Sequence, residues 1–203
     1  MPYDPPQRHD PDAPPRIKGI AMLEVVKGLR LHREAAHREL PTSLHHYLDA
    51  RIDIGQWYPE EDHIGLLGAV ATLFGPPGLD AWRCMGRWRA TLDLQEVFVD
   101  VLRQGDPAKT LKACEKVWPM YRNTGRVVTT LGDAPPHRLA LIDYPYTREQ
   151  MVRLFTGYLE AALELSGLPS FTVDEPADWT PDRAEWTIHW PAAGTLGDPQ
   201  HPN

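Results

Sequence analysis

YPYTREQMVRLFTG, residues 144–157, is the stretch of sequence that decides the fold. Thr147 and Gln150 have the spacing of a capping box, which predicts that a helix begins here. The apolar residues that follow recur at helical spacing and predict one buried helix face. They are Met151, Leu154, Phe155, Tyr158, Leu159, Ala162 and Leu163. Gly167 and Pro169 are typical of the residues that end a helix.

Short runs rich in β-forming residues lie on both sides of this helix. They predict four strands, at residues 126–131, 138–143, 171–173 and 185–190. The Gly- and Pro-containing segment 132–136 separates the first two runs and predicts a hairpin. The second half of the chain therefore predicts a small antiparallel sheet with one long helix inserted between its strands.

The first half of the chain has helical periodicity instead. Apolar spacing and break signals predict five helices, at about residues 20–29, 42–48, 60–74, 79–103 and 108–118. The third begins with the acidic residues Glu60, Glu61 and Asp62, which complement a helix dipole, and Pro119 is expected to end the fifth. The predicted fold class is α+β, with a helical N-terminal half packed on a four-stranded antiparallel sheet.

Composition limits the class of protein. The chain has 203 residues, of which 42% are hydrophobic, and this is enough for one domain, predicted over residues 16–190. The tails, residues 1–15 and 191–203, are rich in Pro and polar residues and are expected to be disordered. A net charge of −7 argues against a nucleic-acid partner. With no apolar run of membrane-spanning length and no signal peptide in this sequence, we expect a cytoplasmic location.

The triplet Tyr144-x-Tyr146-x-Arg148, followed by Gly157, resembles the Tyr-x-Ser-x-Arg signature of the haem-NO/oxygen-binding sensor family, with tyrosine in place of serine. Shorter matches occur at Lys18-Gly19, Trp57-Tyr58-Pro59 and Met85-Gly86. The resemblance extends over residues 16–190 and implies the fold shared by these sensors, the 4-vinyl-reductase-type small-molecule-binding domains and the TRAPP tethering subunits. The chain also resembles uncharacterised myxobacterial proteins of this superfamily. In the sensors the triplet lies against the haem propionates.

The resemblance also implies a haem ligand that the sequence does not supply. In the sensors a histidine on the helix before the first hairpin strand ligates the iron, but residues 108–118 contain no histidine. A cysteine thiolate can serve as an axial haem ligand, which makes Cys114 the alternative candidate. The favoured interpretation is that Cys114 is a small buried residue of the helix face. We therefore expect a member that binds no haem.

Tyr144, Tyr146 and Arg148 are open to two interpretations. They could bind a carboxylate or phosphate, with the guanidinium of Arg148 and the helix N-terminus as the anion-binding groups. Alternatively, Tyr144 packs in the sheet and Arg148 is a solvated residue of the first helical turn, and this interpretation is favoured.

Aromatic residues suggest where a ligand would bind. In the related families the helical half encloses the ligand cavity, and a pocket lined by aromatic rings is the usual form of a small-molecule site. Packing in the core is the favoured use of these side chains. The aromatic residues of this half include Trp57, Tyr58, Trp82, Trp88, Trp118 and Tyr121. The candidate ligand-binding residues are thus Tyr144, Tyr146, Arg148, Cys114 and Trp118.

Other charged residues suggest metal or anion sites. Glu34-x-x-His37 and Glu60-x-x-His63 have the spacing that di-iron helical bundles use, although exposed helix faces explain both pairs more simply. The basic group Arg83, Arg87 and Arg89 is likewise interpreted as a solvated helix face. We therefore predict no metal site and no catalytic residue.

These observations favour a non-catalytic sensor or adaptor that binds a small apolar or aromatic molecule, a protein partner, or both. The resemblance implies a homodimer. One alternative is a haem-based gas sensor with Cys114 as proximal ligand. The other is an enzyme, either a di-iron protein or a reductase-like protein that acts on a small aromatic compound.

Overall fold

The computed structural model of the protein describes residues 13–97, 99, 102 and 105–191. Its helices are α1 (Gly19–Leu31), α2 (Arg33–Glu39), α3 (Glu60–Phe74), α4 (Asp80–Leu92), α5 (Pro107–Tyr121) and α6 (Glu149–Leu165). Its strands are β1 (Arg16–Lys18), β2 (Trp57–Pro59), β3 (Arg126–Thr130), β4 (His137–Ile142), β5 (Thr172–Asp174) and β6 (Arg183–His189). A 3₁₀ helix spans Thr42–Leu48, and a π-helical turn spans Asp93–Val97. The two predicted tails lie mainly outside the described residues.

The C-terminal half forms the predicted four-stranded antiparallel sheet, with strand order β3-β4-β6-β5. Leu139 pairs with Trp186 and Leu141 with Ala184, and these side chains are buried on one face. The indole Nε1 of Trp186 donates a hydrogen bond to Thr156 Oγ1 of α6, at 2.9 Å. This contact fixes α6 against the sheet, because a buried indole N–H needs a partner. The predicted α+β fold with an inserted helix is confirmed.

Helices α4 and α6 cross with their backbones in contact. A Cβ atom built on Gly86 would lie 1.8 Å from the carbonyl oxygen of Leu154, and one built on Gly157 would lie 2.0 Å from that of Arg83. Only glycine fits at either position, which explains why a glycine occurs nine residues after Arg148.

Ion pairs connect the same two helices. Arg83 Nε donates to Glu160 at 2.9 Å, and Arg87 pairs with Glu164. Arg89 pairs with the buried Asp93 at 2.7 Å. The side chains of Arg83 and Arg87 are 40% and 39% exposed, as expected of a solvated helix face, whereas Arg89 is 19% exposed and is held by Asp93.

Several predictions for the helical half need correction. The helix expected over residues 79–103 ends at Leu92 and is followed by the π-helical turn Asp93–Val97. Strands β1 and β2, which pair as a two-stranded antiparallel sheet, were not predicted. The segment Thr42–Leu48 is a 3₁₀ helix, in which Leu44 N donates to Pro41 O at 2.9 Å. Helix α5 continues through Pro119 to Tyr121, because a proline in the last turn costs one hydrogen bond while Trp118 and Tyr121 remain buried.

The predicted capping box at the start of α6 is also absent. The Thr147 hydroxyl donates to the carbonyl oxygen of Tyr144 at 2.8 Å, so it stabilises the turn before the helix. Arg148 takes the N-cap position with no side-chain cap, and Gln150 is exposed. The helix itself begins at Glu149, within two residues of the expected position.

None of the described helices is both long enough and apolar enough to cross a lipid bilayer.

Replacing Gly157 tests the helix crossing. Gly157→Ala is expected to lower the free energy of unfolding by about 1–3 kcal/mol, because the α4 and α6 backbones must separate. Gly68→Ala in α3, where a Cβ would meet nothing within 4 Å, is expected to raise it by about 0.5–1 kcal/mol. Urea denaturation followed by circular dichroism measures both. Equal effects of the two substitutions would contradict the close crossing.

Candidate ligand-binding site

A buried carboxylate is the centre of the site. Glu60, the first residue of α3, is fully buried. Its Oε1 accepts hydrogen bonds from the Tyr144 hydroxyl at 2.7 Å and from Arg122 Nε at 3.1 Å. Its Oε2 is buried and has no hydrogen-bond partner among the described residues. Glu60, Arg122 and Tyr144 are called the carboxylate network below.

The backbone of several elements positions this network. The N–H of Glu60 donates to the carbonyl oxygen of Pro15 at 3.0 Å, which fixes the start of α3 against β1. Arg122 follows the last turn of α5, where its N–H donates to Trp118 O at 3.0 Å. Asp143, with a φ of 59°, turns the chain out of β4 and directs Tyr144 inward. The network therefore joins the helical half to the sheet half.

The indole of Trp118 forms one side of the network. It lies edge-on to Tyr144 with ring centroids 5.2 Å apart, and the Arg122 guanidinium lies 4.5 Å from its ring centroid. Its Nε1 donates to the carbonyl oxygen of Thr124 at 2.9 Å. On its other side it contacts Phe155 of α6, at a centroid separation of 5.2 Å. These rings exclude water and so strengthen the ion pair they enclose.

The electrostatics follow from burial and from pairing. Burial alone would raise the pKa of Glu60, but Arg122, with His63 and Tyr144, lowers it to about 2. A carboxyl pKa that is lower in the folded state contributes stability above its ordinary value of 4.5 and loses that stability as the pH falls towards 2. The contribution is on the order of 3 kcal/mol. Burial raises the pKa of Tyr144, so its hydroxyl stays protonated and donates.

An internal cavity of about 90 Å³ lies beside the network. Arg122, Trp118 and His63 line one part of it, and the rest is largely apolar. His63 is buried, and its Nδ1 lies 3.9 Å from Glu60 Oε1, too far for a hydrogen bond. Burial lowers the pKa of His63 in spite of the neighbouring carboxylate, so the imidazole is neutral at neutral pH.

A second carboxylate, arginine and tyrosine cluster lines the same cavity. Asp93 begins the π-helical turn and is buried. Its Oδ1 accepts from Arg89 at 2.7 Å and from the Tyr121 hydroxyl at 2.8 Å. The Arg89 guanidinium lies over the Tyr121 ring, 4.9 Å from its centroid. The charges around the cavity are thus balanced in pairs.

The structure separates the residues predicted to bind a cofactor. Tyr144 belongs to the carboxylate network and Trp118 packs against it, whereas Arg148 is exposed and lies over the ring of Tyr146, 5.8 Å from its centroid. Cys114 lines the cavity and donates a weak hydrogen bond to Thr110 O at 3.8 Å. Loss of hydration and the nearby Asp93 raise the pKa of its thiol to about 12.

Sequence reasoning missed the polar partners in the site. Glu60 and His63 were recognised as a spaced pair but interpreted as exposed, and the structure buries both. No sequence pattern identified Arg122 as a site residue, because a single arginine after a helix is usually solvated. The position of Glu60 at the start of a helix was the available clue, because an acidic side chain there can form a buried ion pair as well as interact with the helix dipole.

The residues around the cavity do not fit a haem. A cavity of about 90 Å³ is smaller than the roughly 150 Å³ that accepts one benzene ring, and a porphyrin contains four pyrrole rings. Burial and the nearby Asp93 raise the pKa of the Cys114 thiol to about 12, which disfavours the thiolate form that ligates haem iron. His137, the histidine closest in sequence after α5, stacks on Trp190 at one end of the central strands β4 and β6, with ring centroids 3.6 Å apart.

Neither of the two Glu-x-x-His pairs belongs to a cluster of metal ligands among the described residues. Glu34 is exposed, and His37 lies edge-on to His45 with ring centroids 4.6 Å apart. Within the described part of the chain, no three His, Cys, Asp or Glu side chains are grouped to hold a metal ion. The Glu60 carboxylate is neutralised by Arg122 instead.

Comparison with known proteins gives a clear result for the fold. No protein-family profile matches the chain, and no curated protein matches its sequence. Solved structures of H-NOX (haem-NO/oxygen-binding) domains do match. An oxygen-binding H-NOX domain related to soluble guanylate cyclases superposes with a TM-score of 0.60 at 15% identity, covering 85% of this chain and 94% of that one.

Two further matches agree. A mutant H-NOX domain of T. Tengcongensis gives a TM-score of 0.61 at 14% identity, covering 85% of this chain and 96% of that chain. A mutant of Cs H-NOX that contains an unnatural amino acid gives a TM-score of 0.61 at 15% identity, covering 85% of this chain and 95% of that chain. This chain therefore has an H-NOX-like fold.

Substitutions of the two tyrosines test the network. Tyr144→Phe is expected to lower the free energy of unfolding by about 1.5–3 kcal/mol, because Glu60 loses a hydrogen bond to its charged carboxylate. Tyr146→Phe is expected to change it by less than about 0.5 kcal/mol, because its ring contacts remain. Thermal or urea unfolding measures both variants. A larger effect for Tyr146→Phe would show that the network is assigned incorrectly.

Proposed function

We propose that this chain is a haem-free, non-catalytic sensor or adaptor module that uses its helical half to bind a small molecule. The H-NOX-like fold supports the sensor part of the proposal, since one structural neighbour is an oxygen-binding domain. The carboxylate network supports the haem-free part. In the sensors that the sequence resembles, the signature lies against the carboxylates of the haem propionates. In this chain the carboxylate of Glu60 takes that role, and Tyr144 and Arg122 bind it.

The alternatives are less well supported by the chemistry of the site. A gas sensor with Cys114 as proximal ligand requires a thiolate, and a pKa near 12 opposes ionisation. An enzyme requires a group positioned to react, whereas the carboxylates of Glu60 and Asp93 are each held by an arginine and a tyrosine. These pairings are typical of a structural role.

An absorbance spectrum of the purified full chain, expressed with added iron and a haem precursor, tests the proposal. We expect no Soret band, and none after incubation with haemin followed by gel filtration, because the cavity is too small for the porphyrin. A known H-NOX domain prepared in parallel is the positive control.

A stable Soret band would contradict the proposal. Cys114→Ala and His63→Ala, which remove two of the cavity-lining side chains able to ligate iron, would then test each as the ligand. Loss of the band only in Cys114→Ala would establish the gas-sensor alternative.

A cytoplasmic homodimer that transmits its state to a protein partner completes the proposal. This part rests on the resemblance to the superfamily. Light scattering of the purified chain over a range of concentrations measures the oligomeric state directly.

A further inference from the structure

A surface groove adjoins the internal cavity. The groove has a volume of about 440 Å³ and lies between α1, α3 and α4. Val25, Leu67, Met85 and Trp88 line both the groove and the cavity, so these four side chains form the wall between them. Trp88 is 44% exposed, and Met85 is buried behind it. Methionine is the most adaptable apolar side chain, so this wall can yield to a ligand.

We propose that the groove and the cavity together form one binding site for an uncharged amphiphile of the aliphatic alcohol class. The apolar body of the ligand lies in the groove, and its hydroxyl group passes Met85 and Trp88 to reach His63. This inference rests on the proposed small-molecule function and specifies the ligand class.

The groove is suited to an apolar body. Leu31, Phe74 and Trp88 line it and are 83%, 46% and 44% exposed, which concentrates exposed apolar surface at one place. The charged residues at its edge, Glu24 and Lys27, pair with each other at 2.9 Å. The groove therefore carries no net charge that would attract an ionic ligand. Its volume falls in the range of small-molecule sites.

The cavity is suited to a small neutral head group. At about 90 Å³ it holds a few heavy atoms but not a ring. Its arginines are neutralised, Arg122 by Glu60 and Arg89 by Asp93, so a charged head group would be buried without a counter-ion. A neutral hydroxyl avoids that cost.

His63 supplies the polar contact in the cavity. It is 5% exposed, lines the cavity, and its Nδ1 makes no hydrogen bond with any residue that the structure describes. A neutral imidazole has one donor and one acceptor nitrogen, and a hydroxyl group can bond to either. The ligand thus bonds to a buried imidazole whose Nδ1 has only a long contact, 3.9 Å, with Glu60 Oε1.

Calorimetric titration of the full chain with 1-octanol, and with octanoate at pH 8, tests the inference. The two probes have the same chain length and differ in head-group charge. We expect saturable 1:1 binding of 1-octanol, with octanoate at least about tenfold weaker because its charge is buried unpaired. His63→Leu is expected to weaken 1-octanol binding about tenfold through loss of one hydrogen bond.

A groove-filling variant locates the site. Gly28 lines the groove, and a Cβ there meets nothing within 4 Å, so Gly28→Leu places a side chain in the groove and is expected to abolish binding. Gly68→Leu, at a similarly open position outside the groove, is the matched control and is expected to bind normally. Unchanged binding in Gly28→Leu, equal affinity for octanoate, or no saturable binding of 1-octanol would overturn the inference. The haem-free proposal is decided separately, by the absorbance spectrum.

Discussion

The buried ion pair between Glu60 and Arg122, completed by the Tyr144 hydroxyl, is the interaction on which the rest of the structure depends. Its members come from the start of α3, the end of α5 and the turn after β4, and so they connect the two halves of the domain. A buried carboxylate without its partners would cost several kcal/mol. The three elements therefore hold their positions only together.

The same interaction determines the chemistry of the site. Of the signature residues, only Tyr144 binds the internal carboxylate of Glu60, and the arginine that pairs with this carboxylate is Arg122, which lies outside the signature. The second cluster, Asp93 with Arg89 and Tyr121, balances the charge elsewhere around the cavity. Under the proposed function, an H-NOX-like fold thus retains a ligand cavity but accepts a small uncharged group in place of an iron porphyrin.

Local patterns were sufficient to predict the fold and insufficient to predict the site. Strands β3, β4 and β6 and helix α6 follow from alternation and periodicity, which are properties of short segments. Strands β1 and β2 were missed because each runs directly into a helix and their pairing joins residues far apart in the sequence, such as Arg16 and Pro59. For the site, Tyr144 was identified by its motif, but its partner Glu60 was assigned to the surface, because only tertiary structure brings Arg122 to it.

The titration of the Glu60 side chain, followed by ¹³C NMR of its labelled carboxyl carbon, is the most direct test of this account. A carboxylate buried against Arg122 and Tyr144 is predicted to remain ionised until the pH approaches its pKa of about 2. The neighbouring exposed Glu61, in the first turn of the same helix, is the internal comparison. A Glu60 pKa at or above the ordinary carboxyl value would contradict the buried ion pair and, with it, the arrangement of the site.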